Sequence, residues 1–400
     1  MFTYFTQNHL KSLIKPQTLA KILATLGAVC ILTACQQNHV VDKNLSANQV
    51  EKLIPQGVKN ASSWAKDITD IMQTLNIERS KDNVCSVIAI IEQESTFVAD
   101  PIVAGLGEKS LKEINQRLDD KLGKKVADIF RKVLKNKPNV EDNFLNRIKK
   151  VKTERELDEL YREIFSYFAK EYHVGALTGA AKIIGNDISE RLNPITTLGS
   201  MQVHIDYAKA NKRGMISNED LRRDLYSQYG GLYYGIHRLM TYQADYDKPL
   251  YRFADYNSGM YSSRNASFQK MLASLTGDKI SLDGDLLIYA KDGDPKLAKS
   301  QSEQAVIKLF QKHNIAMTER QIRFDLKREK EQNFENTNTY KTVVRLYGEK
   351  TGKYPPYAIM PEVVITGPKL SRDYNTNWFA TRVDGRYQRC MAKAKTLSAS

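Results

Sequence analysis

The chain has 400 residues, 42% of them hydrophobic and 26% charged, with a formal net charge of +14. That length allows a substantial core and two domains, and the basic excess favours polyanionic partners. Zinc-finger spacings, an RNA-binding aromatic signature and arginine-rich tracts are missing from it, which excludes the usual nucleic-acid binders.

The first segment carries Lys11, Lys15 and Lys21, then the apolar run Ile22 to Ile31 and Leu32-Thr-Ala-Cys35. It reads as a signal peptide over 1–34, too short to span a bilayer comfortably, and no later apolar run reaches membrane length. Its end resembles the lipobox of bacterial lipoproteins. The resemblance implies cleavage before Cys35, lipidation of the Cys35 thiol and an anchor that holds the mature protein on a membrane without spanning it. An ordinary secretory leader with an incidental cysteine is the alternative. In that family, Gln36 in place of Asp after the cysteine implies passage to the periplasmic face of the outer membrane, where cell-wall polymers and anionic lipid heads are the polyanions at hand. Cys30 leaves with the leader and Cys35 takes the lipid. A Cys85–Cys390 disulfide is therefore expected in an oxidising compartment, two unpaired buried thiols being the alternative.

Residues 35–45 read as a polar tether. Ser46-Ala-Asn-Gln49 has the form of a capping box and opens a helix that Pro55 and Gly57 end. From Ser63 to Asn76, Trp64, Ile68, Ile71, Met72 and Leu75 recur at helical spacing. A third helix follows through Ser86-Val-Ile-Ala-Ile-Ile-Glu-Gln-Glu-Ser-Thr-Phe97. On it Val87, Ile90 and Ile91 share a face with Glu94, while Glu92 falls opposite. A carboxyl on an apolar face has its ionised form disfavoured, which suits a general acid near neutral pH. Closing the helix in a half-buried ion pair is the plainer role for such a residue.

Lys109 to Ile184 is a charged block with apolar residues every three or four positions, read as amphipathic helices with solvated faces. His173, His204 and His237 lack metal-ligand spacing and read as surface or satisfied histidines. Strand signals are sparse until Ala358-Ile-Met-Pro-Glu-Val-Val-Ile365. Capping boxes at Ser300-Gln-Ser-Glu303 and Thr318-Glu-Arg-Gln321 indicate further helices, followed by an irregular tail.

Two later motifs give Glu94 company: Gly199-Ser-Met-Gln-Val203, and Phe253-Ala-Asp-Tyr-Asn-Ser-Gly259, the latter preceded by Tyr229-Gly-Gly-Leu-Tyr-Tyr-Gly-Ile-His-Arg-Leu239. Glu-Ser-x-Phe, Gly-x-Met-Gln and Ala-x-Tyr-Asn-x-Gly in this order resemble the soluble lytic transglycosylases of the lysozyme-like superfamily. The resemblance covers roughly 83–98 and 195–268. It implies a lysozyme-like helical catalytic domain, placed over 46–282 with an inserted helical block over 106–190, in a mainly α chain. It says nothing of the N-terminal helices or the tail, and the residues after 282 read by themselves as a mixed, mostly helical C-terminal extension over 283–400 packing on that domain. The resemblance also implies Glu94 as catalytic acid and then base, with Ser95 beside it at the helix end. Gly199, Met201 and Gln202 would line the glycan cleft, and Tyr256 and Asn257 would orient the glutamate and the sugar. Tyr233 and Tyr234 read as core, either one able to stack on a pyranose ring.

Three departures stand out. The charged block separates motifs that the family keeps close; Asp255 replaces a small residue before Tyr-Asn; Met260 replaces a common proline. Asp255 pointing inward would supply a second carboxylate and favour hydrolysis, while pointing outward it is a solvated helix residue. The reaction implied is cleavage between N-acetylmuramic acid and N-acetylglucosamine without water, giving 1,6-anhydro ends and needing no metal or organic cofactor. The partners implied are peptidoglycan strands, the membrane through Cys35, and cell-wall machinery. A lysozyme-type hydrolase and a non-catalytic wall-binding lipoprotein are the rivals.

Overall fold

The computed structural model describes residues 44–172, 193–290, 293–365 and 373–397. The leader, Cys30, Cys35, the tether as far as Lys43, and His173 with the end of the inserted block lie outside them. Among the described residues, sixteen α-helices and two antiparallel two-stranded ribbons make up the regular structure, which is mainly α. No helix among the described residues is long and apolar enough to cross a membrane.

Ser46 and Gln49 form the expected reciprocal cap, Ser46 N donating to Gln49 Oε1 at 2.9 Å, and open α1 (Ala47–Leu53). α2 (Ala61–Thr74) buries Trp64, Ile68, Ile71 and Met72 along the predicted stripe. α3 (Lys81–Glu94) is enclosed well beyond the face it shares with Glu94, every residue from Val84 to Ile91 being buried. The reason is α16 (Thr376–Lys395), which packs on the side where Glu92 lies. The Cys85–Cys390 disulfide joins the two helices, with 5.5 Å between the Cα atoms. Tyr387 Oη donates to Asp82, and Arg389 Nη2 reaches Glu92 Oε1 at 3.0 Å.

The charged block folds as α4 (Leu106–Leu122), α5 (Lys124–Asn136), α6 (Phe144–Lys150) and α7 (Glu154–Tyr172). Their stripes, among them Ile114, Phe130, Ile148, Leu157 and Ile164, join one hydrophobic cluster that continues through α2 and α3. One charged contact lies wholly inside. Arg222 on α9 (Asn218–Leu225) sets Nη1 2.7 Å from Asp158 Oδ1 on α7, both side chains being buried, and Asn193 Nδ2 donates to the same oxygen at 2.6 Å. Enclosed charges persist only when paired and hydrogen-bonded, so the contact fixes the block to the body of the protein.

After the block, β1 (Thr197–Leu198) pairs with β2 (Val203–His204), Thr197 opposite His204. α8 (Ile205–Ala210), α10 (Gln228–Met240), α11 (Pro249–Ser258) and α12 (Ser262–Thr276) follow α9 or flank it in the chain. A second hydrophobic cluster begins within α12 at Phe268. It takes in α13 (Gln301–Lys312), α14 (Glu319–Leu326), a 3-10 turn at Gln332–Asn336 and α15 (Asn338–Thr351). The first cluster is completed by α16, which contributes Phe379, Val383 and Ala394.

The box at Thr318 and Gln321 closes reciprocally. At Ser300 the hydroxyl accepts from Glu303 N, but the Glu303 carboxylate pairs with Arg323 at 2.7 Å. The strand expected over Ala358 to Ile365 shrinks to β3 (Val364–Ile365), paired with β4 (Tyr374–Asn375); Pro361 has no N–H to give a longer ladder. What the sequence suggested as an irregular tail contains the 20-residue α16.

Candidate active site

α3 stops at Glu94 because the chain turns left-handed at two successive residues, Thr96 at φ 52° and Phe97 at φ 60°. Such a pair is unfavourable for L-residues and persists where packing holds it. Here Phe97 is buried edge-on against Trp64, with ring centroids 5.4 Å apart. Ser95 is also buried, its hydroxyl donating back to Ile91 O at 3.2 Å, so it finishes the helix as a neighbour of the glutamate. The Glu94 side chain is left half-buried at the helix end.

The third motif comes within electrostatic reach of it, and the second is joined to the third. Tyr256 on α11 is buried and donates its phenol to Met201 O at 2.7 Å. Burial pushes that phenol up; the Arg238 charge opposes the shift and the Glu94 charge adds to it, which puts both ionic groups within electrostatic reach of Tyr256. Arg238 Nη2 also donates to Tyr256 O at 2.9 Å, and its guanidinium lies 5.2 Å from the Tyr256 ring centre and 5.6 Å from that of Tyr207.

The turn from β1 to β2 is set by Gly199, at φ +77°, where an added Cβ would lie 2.2 Å from Leu225 O. Met201 contributes through its backbone, since its side chain is buried against Gly235, where a Cβ would fall 2.3 Å from Sδ. Gln202, left-handed at φ 50°, stays partly exposed. Thr197 Oγ1 donates to its Oε1 at 2.9 Å, and its Nε2 donates to Glu154 Oε2 at 3.0 Å.

Asn257 turns toward α16, its Oδ1 accepting from Thr376 Oγ1 at 3.4 Å. Asp255 fits neither expected orientation. It is buried, and it accepts from Tyr242 Oη at 3.2 Å, Tyr261 N at 2.9 Å, Ser262 Oγ at 3.0 Å, Ser263 N at 2.8 Å and also Tyr246 Oη. Burial pushes its carboxyl up while these donors pull it back. The group caps the start of α12, a role that follows from the hydroxyl-rich Tyr261-Ser-Ser stretch and not from the helix face on which the sequence reading relied.

Three functional candidates escaped the sequence. Arg386 on α16 holds Nε 3.6 Å from Glu92 Oε1; burial pulls its pKa down, against the attraction of Glu92 and Glu94. Arg238 stood in view on a helix made mostly of Tyr, Gly and apolar residues. Glu154 lay among acids of the charged block with nothing to mark it. Tyr234 is core, while Tyr233 is half-buried between Arg213 and His237. His237 Nδ1 bonds Tyr207 Oη at 2.7 Å, and burial lowers the pKa of both His237 and His204.

Residues 57–393 match the family described as "Protein of unknown function (DUF1615)". The chain is also 34% identical over 384 residues to "Uncharacterized protein YaiW" of Escherichia coli (strain K12), covering 95% of this chain and 99% of that protein. No solved structure matches it.

Proposed function

This chain belongs to the DUF1615 family, and on its three motifs and their arrangement we propose that it is a peptidoglycan lytic transglycosylase, lipid-anchored through Cys35 at the periplasmic face of the outer membrane. The observation that carries the reading is the Tyr256 phenol, bonded to Met201 O and within electrostatic reach of Glu94, so that three motifs distant in sequence share one place.

In this reading protonated Glu94 donates to the glycosidic oxygen as the bond to N-acetylmuramic acid breaks through an oxocarbenium-like state. Ionised Glu94 then takes the proton of the sugar's own 6-hydroxyl as that oxygen attacks the anomeric carbon, closing the 1,6-anhydro ring. Glu94 ends protonated, ready for the next strand. Tyr256 and Arg238 fix the walls around the carboxyl, and the substrate's acetamido group shields the cation. The hydrogen bonds already accepted by Asp255 favour a single working carboxylate over the paired acids of a hydrolase.

The test is digestion of purified peptidoglycan followed by mass spectrometry of the fragments. The wild-type protein is expected to give anhydro ends, and Glu94→Gln to cut about a thousandfold more slowly. Reducing ends would assign the hydrolase instead. Strand binding with no cutting by wild type would assign the wall-binding role.

A further inference from the structure

The inserted block reaches the second motif through the first residue of α7. Glu154 Oε2 accepts from Gln202 Nε2 at 3.0 Å, and Glu154 is buried, with its backbone oxygen accepting from Tyr226 Oη at 3.3 Å. The chain just before it is tied to the loop that follows Glu94, since Ile102 bridges to Thr153 and Val103 N donates to Lys152 O at 2.8 Å. Glu154 therefore stands between the loop of the first motif and the turn of the second.

A carboxylate oxygen that meets a primary amide takes its N–H edge. Thr197 Oγ1 donates to the opposite edge, Oε1, at 2.9 Å. The Glu154 bond fixes the orientation, because a flip would set the amide oxygen against the carboxylate, while the Thr197 hydroxyl follows by donating to Oε1. The inward edge is committed to protein, while Oε1 keeps a second lone pair on a residue that remains partly exposed.

We propose that Glu154 is a positioning residue of the glycan site: it holds the Gln202 amide so that its carbonyl oxygen faces the sugar, and the site accepts there a donor group of the glycan, an acetamido N–H or a hydroxyl. The inference rests on the glycan-cleaving reading above. It gives the insertion a part in recognition, and it makes Gln202 a reader of donors and not of acceptors.

The experiment is a double-mutant cycle on the whole protein, with Glu154→Gln, Gln202→Ala and both together, reading kcat and KM on purified glycan strands. Glu154→Gln is expected to raise KM about tenfold, the worth of one well-placed hydrogen bond, with kcat within about twofold. In the Gln202→Ala background the same change is expected to cost nothing further, and Glu154→Asp is expected to recover part of the loss. Equal losses in both backgrounds would make Glu154 a merely structural residue and overturn the proposal while leaving the transglycosylase reading intact. A wild-type protein that neither binds nor cuts strands would end both. If Glu154→Gln does not fold, Thr197→Val removes the bond at the other edge of the same amide and carries the cycle with the same expectations.

Discussion

Glu329 lies wholly inside the second cluster, one oxygen accepting from Leu286 N, and burial pushes its carboxyl up to about 8 from an ordinary 4.5. A raised folded-state pKa on an acid gives a contribution to stability that is full below 4.5 and is lost as pH rises through about 8. The wild-type unfolding free energy in urea is expected to fall by roughly 1–3 kcal/mol between about pH 6 and about pH 9. Glu329→Gln, which mimics the protonated acid, should remove that slope; an unchanged slope would place the ionisation elsewhere. Single carboxylates were legible in the sequence only where a motif framed them. Glu94 stood out by its helical position and by the residues after it, whereas Asp255 was noticed but misassigned. Its partners Tyr242, Tyr246, Tyr261, Ser262 and Ser263 come from both sides of α11 in the chain, and no periodicity collects them.

At the level of elements, the buried contact of Arg222 with Asp158 holds α7 against α9. Arg222→Met leaves a carboxylate inside the protein short of its closest cation, and about 3–5 kcal/mol of stability should go with it. A loss below about 1 kcal/mol in denaturant unfolding would mean that the junction depends on apolar packing alone. The helices of the charged block were visible in its apolar spacing, but their docking was not. Asp158 sits in Arg155-Glu-Leu-Asp-Glu, where every charge looks like part of a solvated face, and only its Arg222 and Asn193 partners distinguish it. α16 was hidden for a related reason. Its buried residues Phe379, Val383, Tyr387 and Cys390 are interleaved with arginines that turn out to serve Glu92 on α3.

For the molecule as a whole, the bond between Cys85 and Cys390 closes a loop with a sequence separation of 305 residues. By chain entropy such a closure stabilises by up to roughly 5 kcal/mol, and native strain reduces that figure. Cys390→Ala is expected to lower the urea midpoint, and reductant should bring wild type to the same value while leaving Cys390→Ala unmoved. A wild-type midpoint indifferent to reductant would show that the bridge adds nothing to the packing of α16. The pairing was legible by counting cysteines, but the division of the core was not. Phe268 and Phe253 lie close in sequence and look alike there, yet they belong to different clusters.

The first cluster is assembled from opposite ends of the described chain, from Leu45 to Ala394. A ribosome delivers α3 hundreds of residues before the helix that covers it, and an unfinished chain ending before Thr376 bares the flank of Val84 to Ile91 and lacks the partner thiol of Cys85. Truncated copies thus display an oily surface and a reactive sulfur together, the marks by which quality control selects chains for degradation. Both the apolar flank and the thiol of Cys85 are covered only in a chain that extends through α16.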